Sequence, residues 1–246
     1  MKILCIADTE QRELWDHWST SGRRMLEGVQ LILSAGDLKP DYLEFLVTML
    51  SVPCLYVRGN HDDIYHSEPP QGCLCIEDKI VKIYEDPLTG RTNLAETDAA
   101  SKLRRFIGMD TDPDEGRVIV AAGLGGSMRY REGRDMYTEK EMVRRVRRID
   151  RKLAACGLCR DNRTDRSGEG RTTEILLTHA PCFGYGDMDD LPHRGFDCFN
   201  DLLKRRQPDF HCFGHVHREY GNFRRESVHP SGTRLINVSG MYILEV

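Results

Sequence analysis

No run in this 246-residue chain approaches the length of a membrane span, and the apolar stretch before Asp8 is too brief for the core of a secretion signal. Bilayer insertion and export are therefore not expected, and the sequence reads as cytoplasmic. An excess of charge of one sign is also missing. The 35 Lys and Arg against 39 Asp and Glu leave −4, so no global field advertises nucleic acid or anionic lipid as a partner. The nine cysteines form no framework, and their odd, scattered count points to reduced thiols rather than disulfides. Cys156-x-x-Cys159 lacks the second C-x-x-C of a zinc knuckle and reads as incidental. Internal repeats and low-complexity tracts are absent too. What remains is an ordinary globular composition, 39% hydrophobic and 30% charged, long enough to bury a full core.

Three short apolar runs end in polar residues: KILCIA (2–7) before Asp8, QLILSAGD (30–37) and PCLYVRGN (53–60). Such runs suit strands buried on both faces. Between the second and third, Leu43, Leu46, Val47 and Leu50 fall at helical spacing, and Asp41 with Glu44 predicts a capping box. Strand, helix, strand predicts βαβ units whose polar strand ends share one sheet edge. DKIVKIYE (78–85) and RVIVAAGLGG (117–126) predict further strands. The polar segment between them, about 86–116, reads as an insertion, partly helical around AASKLRRF or partly disordered.

Thr138 and Glu141 predict the start of a helix with Met142, Val146, Ile149 and Leu153 as its apolar stripe. Its arginines (144, 145, 147, 148 and 151) and Lys152 read as a solvated face rather than a nucleic-acid contact. Residues 157–171 form a polar connector. TEILLTHAP (173–181) predicts a strand ending at His179, and PDFHCFGHVH (208–217) one ending at His215 and His217. The last residues predict antiparallel strands completing a second sheet. One domain over 1–246, carrying the insertion, is the simplest parse.

The strand ends collect Asp8, Glu10, Asp37, Asn60, His61, His179, His215 and His217. In an open α/β sheet that edge is where ligands bind. Carboxylate oxygens, an amide oxygen and imidazole nitrogens, with no thiolate, suit manganese, iron or zinc, and the set is large enough for two ions bridged by a carboxylate such as Asp37. His17, His66, His193, His211 and His229 lack such settings and read as structural.

The blocks D-x-E (8–10), GD (36–37), GNHD (59–62), THAP (178–181) and GHVH (214–217) follow, in order, the pattern of the calcineurin-like metallophosphoesterase superfamily, which this chain resembles. The resemblance implies a four-layer α/β/β/α sandwich of two mixed sheets. It also implies a dinuclear centre: Asp8, Asp37 and His217 for one ion, and Asp37, Asn60, His179 and His215 for the other. The expected ions are manganese or iron ahead of zinc or nickel. Glu10 departs from the family, which has His there; a carboxylate either coordinates, favouring harder metals, or swings away and leaves the first ion loosely held. His61 departs in its surroundings, since the Asp that pairs with it in the phosphoprotein phosphatase branch is replaced by Pro40.

The reaction so implied is attack of a bridging hydroxide on a phosphodiester or phosphomonoester, with His61 as general acid. Arg129, after the Gly-rich turn GLGGSMRY (123–130), could grip phosphate oxygens in a fork, though an exposed Arg beside a tight turn reads equally well. The expected partner is a small phosphate ester, without nucleic acid or membrane. The alternatives are a non-catalytic scaffold of the same fold, for which only Glu10 speaks, and a DNA nuclease, for which only the arginine-rich helix speaks.

Overall fold

The short apolar runs become strands, and their alternating side chains define the layers. The computed structural model describes residues 1–85, 91–96, 118–155, 172–220 and 223–246. In the first sheet β1 (Lys2–Ala7), β2 (Leu31–Ser34), β3 (Cys54–Tyr56) and β4 (Cys73–Cys75) run parallel, and β14 (Gly240–Glu245) joins β1 antiparallel. Ile3, Cys5 and Ala7 point to one side, into a core shared with the second sheet. Leu4 and Ile6 point to the other, against α3 (Pro40–Leu50), which follows the short helices α1 (Arg12–Trp15) and α2 (Arg23–Met25) and presents Tyr42, Leu43 and Leu46. Period-2 alternation thus feeds two cores from one strand.

The second sheet has the order β12 (Glu226–Val228), β13 (Arg234–Asn237), β11, β10, β7, β5 and β6 (Thr92–Glu96), while β8 (Ser127–Met128) and β9 (Met136–Tyr137) pair apart from it. Its central members are β5 (Ile80–Glu85), β7 (Val118–Leu124), β10 (Thr172–Thr178) and β11 (Phe210–Phe213). Val81, Ile83, Ile119, Ala121, Ile175 and Leu177 face the first sheet. The opposite face packs on α4 (Glu139–Ala155) through Met142, Val146 and Ile149, and on α5 (Asp197–Arg206) through Phe199, Leu202 and Leu203. Each such fully buried aliphatic side chain contributes about 1.5–3 kcal/mol. Helix, sheet, sheet, helix is the four-layer sandwich of two mixed sheets that the sequence implied. Among the described residues no helix is long and apolar enough to cross a membrane.

Local expectations divide. Thr138 and Glu141 form a reciprocal capping box: the Thr138 N–H donates to Glu141 Oε2 at 2.8 Å, and the Glu141 N–H to Thr138 Oγ1 at 3.3 Å. The box expected from Asp41 and Glu44 does not form. Pro40, whose ring presets the first helical φ, starts α3 two residues earlier with Lys39 as N-cap, and Glu44 accepts instead from the Gln71 N–H at 2.7 Å. The closing strands also differ from expectation. β13 (Arg234–Asn237) runs parallel to β11, β12 (Glu226–Val228) pairs antiparallel with β13, and β14, antiparallel to β1, belongs to the first sheet rather than the second. The chain changes sheets between Asn237 and Gly240, whose φ of +78° supplies the turn. Of the segment 86–116, β6 (Thr92–Glu96) pairs antiparallel with β5. The helix expected around AASKLRRF, Cys156-x-x-Cys159 and the 157–171 connector lie outside the described residues.

Arg145 corrects the reading of the arginine-rich helix as a wholly solvated face. Its side chain is 10% exposed, with Nε on Asp78 Oδ1 at 3.0 Å, Nη1 donating to the Gly125 carbonyl at 2.7 Å, and its guanidinium 4.4 Å from the Tyr137 ring centre. Nη2 lies 3.6 Å from Glu77, a buried carboxylate that also holds Arg58. Arg148, on the same Asp78, is 55% exposed. We therefore expect Arg145→Met to destabilise the fold by about 1–3 kcal/mol, because it leaves the Gly125 carbonyl without that donor and takes one of two cations from Glu77. Arg148→Met should cost less than about 1 kcal/mol. Urea denaturation of the two variants measures the difference, and equal losses would contradict the account.

Candidate metal centre

Polar residues following β1, β2, β3, β10 and β11 converge where the two sheets open. Asp8, Asp37 and His215 each take a left-handed conformation, with φ of 63°, 56° and 70°. Non-glycine residues hold that region at a cost of about 1–3 kcal/mol, and such positions cluster at functional sites. The turns are tied to one another. The Asp8 N–H donates to the Gly36 carbonyl at 3.0 Å, the Gly214 N–H to the His179 carbonyl at 2.9 Å, and the His215 N–H to both Asp8 oxygens at 3.0 and 3.1 Å. Asp62 Oδ2 accepts from the amides of Asp37 at 2.8 Å and Gly59 at 2.7 Å, fastening the second and third ligand turns together.

Two of the motif glycines are demanded by crowding. A Cβ on Gly59 would stand 2.0 Å from Asp37 Oδ1 and 2.7 Å from His179 Cε1. One on Gly214 would stand 2.6 Å from the Ala7 Cβ and 2.9 Å from Asp8 Oδ2. The glycines preceding Asn60 and His215 are what lets the carboxylates and imidazoles close in.

The histidine nitrogens are assigned by their neighbours. A carbonyl only accepts, so His179 Nδ1, 2.8 Å from the Ala35 oxygen, and His215 Nε2, 2.7 Å from the Pro192 oxygen, both carry hydrogen. That leaves His179 Nε2 and His215 Nδ1 facing each other at 3.1 Å, with Asn60 Oδ1 3.0 Å and Asp37 Oδ2 3.4 Å from His179 Nε2. Ligand atoms of Asp37, His179 and His215 all lie within 4.8 Å of one another. Two nitrogens about 2.1 Å from one ion, at a right angle, would be about 3.0 Å apart. Two imidazoles, an amide oxygen and a carboxylate, with second-sphere carbonyls fixing both rings, fit a divalent cation.

Electrostatics carries the same signature. Burial works to depress His179, but Asp37 at its Nε2 and then Asp8 raise it above the usual histidine value. His215 is depressed, by burial and by the charge on His179. A single proton therefore serves the pair, on His179 Nε2. Burial would raise Asp37, yet His179 and the His61 N–H hold it down at about 2. Asp8 is raised by burial and by Asp37, against the pull of His179.

Asp8, Asp37, Asn60, His179 and His215 are brought together. His217 is half-buried, its ring 5.2 Å from that of Tyr220, and close enough to Asp8 to lower its pKa. Glu10 lies apart: its carboxylate pairs with Lys39 at 3.8 Å, and both line an adjoining groove of about 1010 Å³. His61 is exposed at the same groove, its N–H donating to Asp37 Oδ1 at 2.8 Å. Arg129 is engaged elsewhere, its guanidinium donating to the Met136 carbonyl and pairing with Glu141 at 3.0 Å. Sequence reasoning gave Asp62 no role, although its place two residues after Asn60 was a usable signal. It set aside His193, whose ring centre lies 5.3 Å from that of His215. No spacing rule would have found His193, because the fold of its loop brings it there.

A family profile described as "Calcineurin-like phosphoesterase" matches residues 1–219. Among curated proteins, UPF0046 protein T07D4.2 of Caenorhabditis elegans is 42% identical over 50 residues, 20% of this chain and 13% of that protein. UPF0046 protein K07C11.7 of the same organism is 44% identical over 52 residues, 20% of this chain and 17% of that protein. The matched segment thus spans under about a fifth of either relative. Among solved structures, TT1561 of Thermus thermophilus aligns over 97% of this chain and 89% of its own, with a TM-score of 0.51 at 12% identity. Another aligns over 99% and 98%, with a TM-score of 0.53 at 12% identity. At such identity the likeness is one of fold.

Two outcomes follow for metal binding. Gly59→Ala should weaken divalent-cation affinity by at least about 10- to 100-fold while the protein stays folded, as read by calorimetry and circular dichroism; unchanged affinity would contradict the crowding described. Because a cation must displace the proton on His179, affinity should rise with pH, by up to about tenfold per unit while that proton is held. Titrations at neutral pH in buffers of different ionisation enthalpy should show about one proton released per ion, and none released would refute the assignment.

Proposed function

We propose that this chain, which belongs to the calcineurin-like phosphoesterase family, hydrolyses the phosphate bond of a small mono- or diester with the help of two divalent ions, manganese or iron ahead of zinc or nickel. The family is one of phosphoesterases that bind divalent metals. The observation that carries the reading is the convergence of His179 Nε2, His215 Nδ1, Asn60 Oδ1 and an Asp37 oxygen, with both rings locked from behind by main-chain carbonyls. Bound there, divalent ions supply Lewis-acid polarisation of a phosphoryl oxygen and acidify water into a nucleophile near neutral pH.

The chain's own residues do the rest. Asp37 offers one oxygen toward His179 and the other to the His61 amide, so its carboxylate stands between two parts of the site, as a bridging ligand must. Asp8, held by the His215 amide, and His217 would complete the first position, with Glu10 as the carboxylate available from the groove side. His61 is the group we assign to protonate the leaving oxygen, since it stands exposed at the groove beside Asp37 and its imidazole can hold and deliver a proton.

The groove favours a small substrate over nucleic acid. Its lining includes seven carboxylates, Asp8, Glu10, Asp37, Asp41, Glu44, Asp62 and Glu68, against Lys39 and His61. A nucleic-acid strand needs cationic side chains along its phosphates. The arginines of α4 do not supply them there, because none of them lines the groove.

Activity on bis-p-nitrophenyl phosphate and p-nitrophenyl phosphate, titrated with manganese, iron, zinc and nickel, tests the reading. Hydrolysis should depend on added metal. His61→Ala should lower kcat by about 10²- to 10⁴-fold on an alkyl phosphate ester, whose leaving oxygen needs a proton, and by less on the nitrophenyl esters. No hydrolysis with any metal would favour a non-catalytic scaffold, and an alkyl ester turned over equally by His61→Ala would remove His61 from the mechanism.

A further inference from the structure

The loop 182–196 is built to hold its tip against His215. The Asp187 carboxylate closes its base, accepting from the amides of Gly184 at 2.8 Å and Gly195 at 3.1 Å. Met188 N–H donates to the His193 carbonyl at 3.2 Å, and the short turn Leu191–His193 carries the Pro192 carbonyl that receives the hydrogen of His215. The loop is therefore a second-sphere part of the site, and its next side chain is His193.

His193 completes a ladder of rings around the ligands. Centroid separations run 4.8 Å from His179 to His215, 5.3 Å from His215 to His193, 4.8 Å from His193 to Tyr220 and 5.2 Å from Tyr220 to His217. It thus stands between the rings of one candidate ligand and the aromatic neighbour of another, on the second-sheet side of the centre. His61 comes from the first-sheet side. The His193 side chain is 23% exposed, enough to reach a bound molecule, yet its ring is oriented: Nδ1 lies 2.7 Å from Asp190 Oδ2. A carboxylate cannot donate, so Nδ1 carries hydrogen. Nε2 has no protein partner among the described residues. An imidazole fixed by a carboxylate on one nitrogen and open on the other, beside a catalytic centre, is the arrangement of an oriented catalytic or binding histidine.

We infer that His193, oriented by Asp190, is a substrate contact that hydrogen-bonds a phosphoryl oxygen of the ester through Nε2, beside His215. The inference rests on the phosphoesterase reading for the identity of the anion. The contact does not depend on one protonation state. With Nδ1–H on Asp190, Nε2 accepts the hydrogen of a protonated phosphate oxygen or, in the imidazolium, donates to an ionised one. Tyr220 and His215, flanking the ring, keep it from turning away.

The test compares wild type, His193→Phe, His193→Gln and Asp190→Asn, all loaded with manganese. Inorganic phosphate is the binding probe by calorimetry, metal content is measured by mass spectrometry, and KM and kcat are measured on p-nitrophenyl phosphate. His193→Phe keeps a ring in the ladder and should keep its metal, but bind phosphate about 10- to 100-fold more weakly, the worth of a hydrogen bond to a charged group, with KM raised in proportion. His193→Gln should recover part of that loss through its amide, and Asp190→Asn should lie between wild type and His193→Phe. Phosphate binding by His193→Phe equal to wild type, loss of metal in that variant, or no phosphate binding by wild type would overturn the inference. Phosphate binding that requires His193 in a protein that hydrolyses no ester would uphold it while ending the hydrolase reading. Hydrolysis that ignores the substitution would do the reverse.

Discussion

Two imidazoles, His179 and His215, are buried with their hydrogen-bearing nitrogens turned to main-chain carbonyls and their other nitrogens 3.1 Å apart. Two lone pairs cannot face each other at that distance away from water without a positive charge between them. A proton satisfies the demand at one nitrogen, whereas a divalent cation satisfies it at both and also engages Asn60 and Asp37. The rest of the site reads as the means of holding this arrangement: left-handed turns at Asp8, Asp37 and His215, glycines where a methyl group would collide, and Asp62 clamping two amides. Burial is what makes the constraint severe, since a solvated pair would turn to water instead.

The support extends behind the ligands. Arg58 immediately precedes Gly59 and Asn60; its N–H donates to Glu77 Oε1 at 2.9 Å, and its carbonyl accepts from the Gly126 N–H at 2.8 Å. Its guanidinium lies between Glu77 and Asp135, and His66 holds the other Asp135 oxygen at 2.7 Å. Arg145 reaches the same Glu77 from α4, so a helix of the outer layer is coupled through charge to the turn that presents Asn60 and His61. Buried networks of this kind are worth keeping only when every member is satisfied. Here they fix the turn that presents Asn60 and His61.

Much of this was legible in the sequence because it depended on local order. Each candidate ligand ends or follows an apolar run, and parallel strands must bring such ends to one edge whatever their separation along the chain. The stripe of α4 and its Thr138 and Glu141 box were equally local. What escaped depended on partners distant in sequence. Pro40 displaced the start that Asp41 suggested, and Arg145 was drawn inward by Asp78 and Glu77. β14 crossed to the first sheet through the turn at Gly240, and Glu10 leaned to Lys39. His193 carries no recognisable spacing to the other histidines; the folding of 182–196 around Asp187 puts it beside His215. Residues 97–117 and 156–171 lie outside the described structure and do not enter this comparison.

The centre has unequal walls. The first sheet contributes carboxylates, an amide and an acidic groove, while the second contributes imidazoles and a tyrosine in a ring ladder. The most direct measurement is anomalous diffraction from crystals grown with manganese. A peak is expected within about 2.3 Å of His179 Nε2, His215 Nδ1, Asn60 Oδ1 and an Asp37 oxygen together. A peak that engages other side chains, or none while those four groups stay as they are here, would contradict a cation-binding role for the buried imidazole pair.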